Sequence, residues 1–146
     1  TLGVEIAMDG NQEGEKEYLR QKTEAFAYNY RTATGLDKDA AWEGFLSTIV
    51  ATLRYPVAAT QLTKADWDYI LAPVWAAGLP KAGISRMFPH AVLNGTSKYQ
   101  GMGVMHMYNY QELEHLALLL QHGNKDTTLK ELFKHSNTVG KNSDWN

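Results

Sequence analysis

The sequence contains no cysteine, which excludes disulfide bonds, thiolate zinc sites and a cysteine nucleophile. No apolar run approaches the roughly 20 residues that a membrane-spanning helix requires, and the N-terminus shows no secretory leader of the basic, apolar, small-residue type. We expect no transmembrane segment and an intracellular protein. The chain starts at Thr1 rather than at methionine, which we interpret as a mature product or an excised fragment.

Acidic residues are also missing from one long stretch, because residues 69–111 contain no Asp or Glu. Residues 1–43 hold nine acids and five bases, a balance of −4, whereas residues 44–146 hold seven acids and nine bases, a balance of +2. A mildly basic second part permits contact with phosphates, although its charge density is well below that of dedicated nucleic-acid modules.

The remaining composition is that of an ordinary globular chain. Its 146 residues suffice for one domain with a substantial core and are too few to predict two. Hydrophobic residues make up 44% and charged residues 21%, so bulk disorder is not expected. We predict a mainly α, single domain of five to six amphipathic helices over residues 1–135, with a short extended segment at its N-terminus and a Gly/Pro-rich central loop. A polar, flexible tail is predicted at 136–146.

The N-terminal part predicts a short strand and then a helix. Leu2, Val4 and Ile6 alternate with other residues, and a turn follows at residues 9–11. From about residue 12 to residue 32 the spacing is helical, with Gly35 as the C-cap. Tyr18, Lys22, Phe26 and Tyr30 share one stripe of this helix, and Leu19 and Ala27 flank it.

The second and third helices are predicted to form the centre of the core. Asp37 is a suitable N-cap for the second helix, and Pro56 is expected to stop it after Tyr55. Thr63 and Asp66 form a capping box for the third helix, in which Pro73 predicts a kink and Gly78 the end. The apolar faces are Trp42, Phe45, Leu46, Ile49, Val50 and Leu53 in the second helix, and Trp67, Ile70, Leu71, Val74 and Trp75 in the third.

Three shorter helices complete the prediction. One begins near Pro89, and one ends at His122-Gly123. The last begins with a capping box at residues 128–131. The apolar faces are Tyr110, Leu113, Leu116, Ala117 and Leu120 in the helix before Gly123, and Leu132 and Phe133 in the last.

The central segment, residues 79–90 and 98–104, carries the candidate binding residues. Glycines and prolines stand where the chain must change direction, and no acid lies nearby. We predict that Lys81, Arg86 and Lys98 contact backbone phosphates and that Tyr99 stacks on a base or sugar. The alternative is that these cations are merely solvated and that Tyr99 is a packing residue.

Three methionines suggest a second kind of surface. Met102, Met105 and Met107 alternate along the chain, so an extended segment would present them on one side. Such soft side chains suit a protein partner, and they also fill irregular cores. If a partner binds, the edge of the predicted strand at residues 2–6 is a second docking site.

No metal site, cofactor or catalytic residue is predicted. Glu112 and His115 form one Glu-x-x-His step, with His106 and His122 before and after it, but a second such step is missing. His122 lies at a helix end, where an imidazole interacts favourably with the dipole. No serine lies in a nucleophile-elbow pattern, and no glycine-rich loop completes a phosphate-cradling motif.

An ordered succession of short motifs runs through residues 1–122. Its members are Thr1-Leu2-Gly3-Val4, Asp9-Gly10-Asn11, Trp42, Tyr55-Pro56, Leu62-Thr63, Pro73, Leu79-Pro80-Lys81-Ala82-Gly83-Ile84, Phe88-Pro89 and Tyr99-Gln100-Gly101-Met102-Gly103. This succession resembles reverse-transcriptase-like proteins from retroelements of unicellular eukaryotes, in the region that follows the polymerase palm.

The resemblance implies a thumb-like or connection-like helical unit that grips a template–primer duplex and performs no chemistry. The sequence has no adjacent pair of aspartates, so the polymerase metal ligands are absent from it. Two positions depart from the pattern: His90 stands where an Arg is expected after Phe-Pro, and Gly95-Thr96 stands in place of Gly-Pro. The alternative is a domesticated structural or protein-interaction subunit that has lost nucleic-acid binding.

Overall fold

A computed structural model describes Val4, residues 8–123, Thr128 and Glu131. Its elements, in chain order, are the helices Glu13–Thr32 (α1), Lys38–Val57 (α2), Lys64–Lys81 (α3) and His90–Leu93 (α4), a 3-10 helix at Ser97–Tyr99, and the helix Met107–His122 (α5). These residues include no strand, and the mainly α class is confirmed. The predicted N-terminal strand apart from Val4, the last helix apart from Thr128 and Glu131, and the tail lie outside the described residues.

By its internal contacts the chain divides into two units, Thr1–Gln111 and Glu112–Asn146. The core of the first unit is formed mainly by α2 and α3. Its buried members are Leu19, Phe45, Ile49, Leu53, Val57, Leu62, Trp67, Ile70, Leu71, Val74 and Met107. Most of the predicted faces of α2 and α3 are therefore confirmed, but Val50 is 37% exposed.

Helix α1 buries a different face from the one its aromatic residues predict. The buried residues are Glu15, Leu19, Thr23 and Ala27. The side chains of Thr23 and Ala27 are small, so the backbone of α3 approaches closely, and the Thr23 hydroxyl donates a hydrogen bond to the Ile70 carbonyl at 2.7 Å. Phe26 and Tyr30 only pack against the margin of the core, and Tyr18 and Lys22 are also only partly buried. The predicted stripe therefore lies at the margin of the core, whereas its flanking residues Leu19 and Ala27 are buried.

The predicted end of α3 at Gly78 is also wrong, because the helix continues to Lys81. A Cβ atom on Gly78 would lie 2.4 Å from two ring carbons of Phe45, so this glycine permits the close approach of α2 and α3. The glycine that terminates α3 is instead Gly83, which follows the C-cap residue Ala82 and has a φ of +77°. There the Ile84 amide donates to the Leu79 carbonyl at 2.8 Å, as expected for a glycine C-cap.

Two other helix ends differ slightly from their predictions. Pro56 lies inside the last turn of α2, which ends at Val57, and the Ala58 amide bonds to the Pro56 carbonyl. Proline cannot donate the backbone hydrogen bond to the residue four positions earlier, and α2 ends one residue after it. Helix α1 ends at Thr32 with Ala33 as its C-cap, so Gly35, with a φ of +80°, belongs to the following turn.

The predicted N-caps of α2 and α3 are confirmed. The Asp37 carboxylate accepts a hydrogen bond from the Ala40 amide at 2.8 Å. In the capping box, the Asp66 amide donates to the Thr63 hydroxyl at 3.2 Å and the Thr63 amide donates to the Asp66 carboxylate at 3.1 Å. These bonds satisfy amides that have no partner within the helix.

Charged side chains on α1 join it to the start of α3. Lys16 Nζ lies 3.0 Å from Asp66 Oδ1. The Arg20 guanidinium lies 4.4 Å from the ring centre of Tyr69 and donates to the Tyr69 carbonyl. The hydrogen bonds from Lys16 and from the Thr63 hydroxyl hold the pKa of Asp66 below its ordinary value of 3.8, and the bond to Asp66 raises the pKa of Lys16 above 10.5.

The side chain of Gln111 joins the first turns of α5 to the rest of the first unit. Its carbonyl oxygen accepts from the Leu62 amide at 3.0 Å, from Trp67 Nε1 at 3.0 Å and from the Thr60 hydroxyl at 3.2 Å. Its amide nitrogen donates to the Leu62 carbonyl at 3.0 Å. Gln111 is only 2% exposed, so these bonds form away from water.

The apolar face predicted for α5 is not buried where it enters the second unit. Leu113, Leu116 and Leu120 are 51%, 49% and 71% exposed, and the neighbouring Leu119 is 41% exposed. The predicted end of the helix at His122 is confirmed. In the described part of the chain, this is a row of exposed leucines on one helix.

The ion pair between Lys16 and Asp66 predicts a pH dependence of stability. Because the pKa of Asp66 is depressed on folding, its contribution is complete above its ordinary value of 3.8 and is lost as the pH falls through the lower folded pKa. Lys16→Met should lower the free energy of unfolding at neutral pH, and the difference from wild type should narrow from about pH 5 to about pH 2. Urea unfolding at several pH values measures this. Lys64→Met is the control, since Lys64 makes no ion pair among the described residues, and an equal pH dependence in both variants would contradict the assignment.

The contact between Gly78 and Phe45 predicts opposite effects of alanine at two helical glycines. Gly78→Ala should reduce the free energy of unfolding by about 1–3 kcal/mol, because the added methyl group forces the Phe45 ring to move. Gly44→Ala is the matched control: a Cβ there meets nothing within 4 Å, so alanine should stabilise the protein by about 0.5–1 kcal/mol. Urea unfolding followed by circular dichroism gives both values. A Gly78→Ala variant as stable as wild type would show that the contact is not tight.

The hydrogen bonds of Gln111 predict a large loss of stability when this residue is replaced by an apolar one. Gln111→Leu keeps the approximate volume but leaves the Leu62 amide, the Leu62 carbonyl and Trp67 Nε1 without their partner, so we expect a loss of about 2–4 kcal/mol in the free energy of unfolding. The exposed Gln121 lies on the same helix, and Gln121→Leu should change stability by less than about 0.5 kcal/mol. Similar losses in the two variants, measured by urea unfolding, would disprove the role of Gln111.

Candidate functional site

Residues 90–104, the 90–104 loop, close on themselves through backbone hydrogen bonds. The Met102 amide donates to the Val92 carbonyl at 3.0 Å, the Val104 amide to the Leu93 carbonyl at 3.1 Å and the Gly103 amide to the Gly95 carbonyl at 2.8 Å. Leu93 is completely buried. The loop therefore has a fixed conformation anchored by one apolar side chain.

Two glycines determine how tightly this loop closes. A Cβ atom on Gly101 would lie 2.2 Å from the carbonyl carbon and oxygen of Gly95, so no side chain fits there. Gly103 has a φ of +70°, a conformation that glycine adopts without strain. The glycines predicted as points where the chain changes direction thus form the contact between the two sides of the loop.

The closed loop displays Lys98 and Tyr99, and the structure brings these two predicted site residues together. Both lie in the 3-10 helix, which ends at Gln100 in a left-handed conformation with a φ of 63°. Tyr99 is 79% exposed. Lys98 Nζ lies 5.7 Å from the centre of the Tyr99 ring, close enough for a cation–π contact.

The other two predicted site residues have different surroundings. The Lys81 ammonium donates to the Ala33 carbonyl, which follows the end of α1, and lies 5.2 Å from the centre of the Tyr30 ring. Arg86 is exposed in the turn after α3. Within the described residues, no hydrogen bond, ion pair or ring contact joins Lys81 or Arg86 to Lys98 or Tyr99. Lys81 therefore has a structural role that its sequence position did not reveal.

The ion pairs of the described residues leave Arg86 and Lys98 without a carboxylate. Lys16 pairs with Asp66 and Glu13, and Arg20 pairs with Glu24. The Asp68 carboxylate lies 2.8 Å from His106 Nε2, which is a hydrogen bond rather than an ion pair. The acid-free stretch of sequence thus produces two exposed cations whose charge is not locally compensated.

His106 fixes the end of the 90–104 loop to α3, a role that sequence reasoning missed. Its Nδ1 accepts a hydrogen bond from the Tyr108 amide at 3.1 Å, so Nε2 carries the proton donated to Asp68. At the beginning of the loop, His90 makes an edge contact with Trp75 of α3, with 6.4 Å between ring centres. For the contact between His106 and Asp68, the sequence signal was that Asp68 is the last acid before the acid-free stretch.

The three methionines predicted as a partner surface occupy different environments. Met107 is 5% exposed and belongs to the buried core, as its core-filling alternative predicted, so it is not accessible to a partner. Met102 is partly buried, whereas Met105 is 51% exposed. Of the three, Met105 alone offers a large exposed surface.

The described residues also bear on metal binding and on membrane insertion. No group of three or more His, Asp or Glu side chains is placed to hold a metal ion there. Glu112, His115 and His122 therefore do not form such a group. None of the described helices combines the length and apolar character needed to cross a membrane.

Comparison of the chain with protein-family models, with curated proteins and with solved structures finds no match.

Proposed function

We propose that this chain is a non-catalytic, thumb-like module that contacts a nucleic-acid duplex, similar to the region after the palm of a retroelement reverse transcriptase. The observation that supports this most directly is the pair of exposed cations, Arg86 and Lys98, which have no carboxylate partner in the described residues. Tyr99 lies beside Lys98 and adds a π surface. A polyanion supplies the missing negative charge.

This surface is proposed because Arg86 and Lys98 lie in the acid-free stretch, residues 69–111. Other exposed cations without an ion pair among the described residues, such as Arg31 and Lys64, lie outside that stretch. Lys16 and Arg20 are already paired with acids, so a phosphate would have to compete with those carboxylates. Arg86 and Lys98 have no such competitor, and each phosphate that they neutralise releases condensed counterions. Lys81 adds positive charge nearby in sequence while its ammonium supports the end of α1.

The helices serve this function as a rigid support. The ends of the 90–104 loop are fixed to α3 through the contacts of His90 with Trp75 and of His106 with Asp68. A loop fixed in this way loses little conformational entropy when it binds. Such an arrangement suits grip on a substrate, and the proposal assigns no chemical step to the chain.

A second candidate function is a protein-interaction or structural subunit of a larger assembly. It is favoured by the exposed leucines of α5, which are 41–71% exposed, and by the exposed Met105. Exposed apolar side chains along one helix, such as these leucines, often mark a site of protein contact. This candidate requires no binding of nucleic acid.

Binding to a fluorescently labelled RNA–DNA hybrid distinguishes the two candidates. We expect affinity to fall as salt rises from about 50 mM to about 200 mM, and the double variant Arg86→Ala/Lys98→Ala should reduce the log–log salt slope by about 2, since each phosphate contact contributes about 0.9. Fluorescence anisotropy measures both quantities. Lys81 is left unchanged because its loss would also disturb the end of α1.

The charge-matched control is Arg31→Ala/Lys64→Ala, which removes two exposed cations from α1 and α3. It should leave the salt slope close to that of wild type. Absence of binding at low salt, or equal effects of the two double variants, would refute the proposed interface and favour the protein-interaction candidate.

A further inference from the structure

We infer that Tyr99 and Lys98 form a stacking site for one unpaired base, so that the module engages a single-stranded segment next to the duplex. This inference rests on the proposed function and specifies the nucleic acid that the 90–104 loop binds. It is based on the exposure of the Tyr99 ring, the position of Lys98 and the rigidity of the loop.

The Tyr99 ring is available for stacking. It is 79% exposed, and Lys98 Nζ approaches it at 5.7 Å from the centre. No other aromatic ring contacts it in the described part of the chain. A base can therefore cover the ring, and the Lys98 ammonium lies close enough to meet the phosphate of the same strand. Aromatic stacking combined with a nearby cation is the usual composition of a single-strand site.

The loop holds this ring in place before any ligand arrives. Backbone bonds on both sides of the 3-10 helix, such as Gly101 N to Thr96 O at 3.0 Å and Met102 N to Val92 O at 3.0 Å, fix the segment that carries Tyr99. The absence of space for a side chain at Gly101 keeps the two sides together. Less conformational entropy is lost on binding when the aromatic residue is already positioned.

An unpaired base fits this site better than a base within a duplex or a pocket on a protein. In a duplex the bases cover each other's faces and present only their edges in the grooves, so the face of Tyr99 finds no partner. Hot-spot aromatic residues of protein interfaces lie in well-packed surroundings. The residues flanking Tyr99 in sequence, Thr96, Ser97, Lys98 and Gln100, are polar and exposed, with no acid to repel a phosphate.

The test compares three labelled RNA–DNA hybrids at low salt by fluorescence anisotropy: a blunt hybrid, the same hybrid with a short single-stranded overhang, and the same overhang made of abasic nucleotides. Wild-type protein should bind the normal overhang about 5- to 10-fold more tightly than the abasic one, which corresponds to the lower part of the range for stacking on one base. Tyr99→Ala should abolish this difference, and Tyr99→Phe should retain it.

Tyr28→Ala is the matched control, because Tyr28 is 68% exposed on α1 and is outside the loop; the overhang preference should be unchanged. Circular dichroism confirms that each variant is folded. Binding of the blunt hybrid that weakens with salt, but without preference for the normal overhang or dependence on Tyr99, would overturn this inference and leave the duplex interface intact. Absence of binding to all three hybrids would overturn the proposed function together with the inference.

Discussion

The hydrogen bonds of Gln111 are the constraint on which the closure of the first unit depends. They bring the start of α5 to the linker before α3 and to Trp67, the largest fully buried side chain. Met107, one turn earlier, enters the same core. Because the 90–104 loop lies between α3 and α5, these contacts determine where its C-terminal end leaves the core, and the bond from His106 to Asp68 completes the attachment. A buried amide whose oxygen and nitrogen are both hydrogen bonded favours one arrangement, since an alternative leaves polar atoms unpaired.

Phe45 lies at the centre of the aromatic contacts between the helices. Its ring contacts those of Phe26 and Tyr30 on α1, Trp42 on its own helix and Trp75 on α3. Gly78 provides the space that the ring occupies. Trp75 in turn contacts His90 at the start of the loop. A continuous series of ring contacts therefore runs from α1 to the proposed interface, and the position of the loop depends on packing in the middle of the bundle.

The features that could be predicted from the sequence are those determined by neighbouring residues. The caps of α2 and α3 depend on side chains within three residues of the amides they bind, and the faces of these helices follow from periodicity. The buried face of α1 was predicted only in part: Leu19 and Ala27 were placed beside the stripe, but Thr23 was missed. A small polar residue gives no apolar signal in sequence, although it lets two helices approach closely. The prediction that α3 ends at Gly78 was wrong because a glycine that ends a helix and a glycine that permits close packing look the same in sequence. Lys98 and Tyr99 were predicted as neighbours, whereas the contact of Lys81 with Ala33 depends on the tertiary fold.

The 90–104 loop separates the residues that maintain its shape from those that it displays. Leu93, Gly95, Gly101 and Gly103 hold the backbone, whereas Lys98, Tyr99 and Gln100 point outward and contribute little to that framework. Exchange of the displayed residues changes the surface that the loop presents without requiring a new fold. Three adjacent positions can therefore be exchanged while the glycine framework stays constant, so the chemistry of this surface is separable from the shape of the loop that carries it.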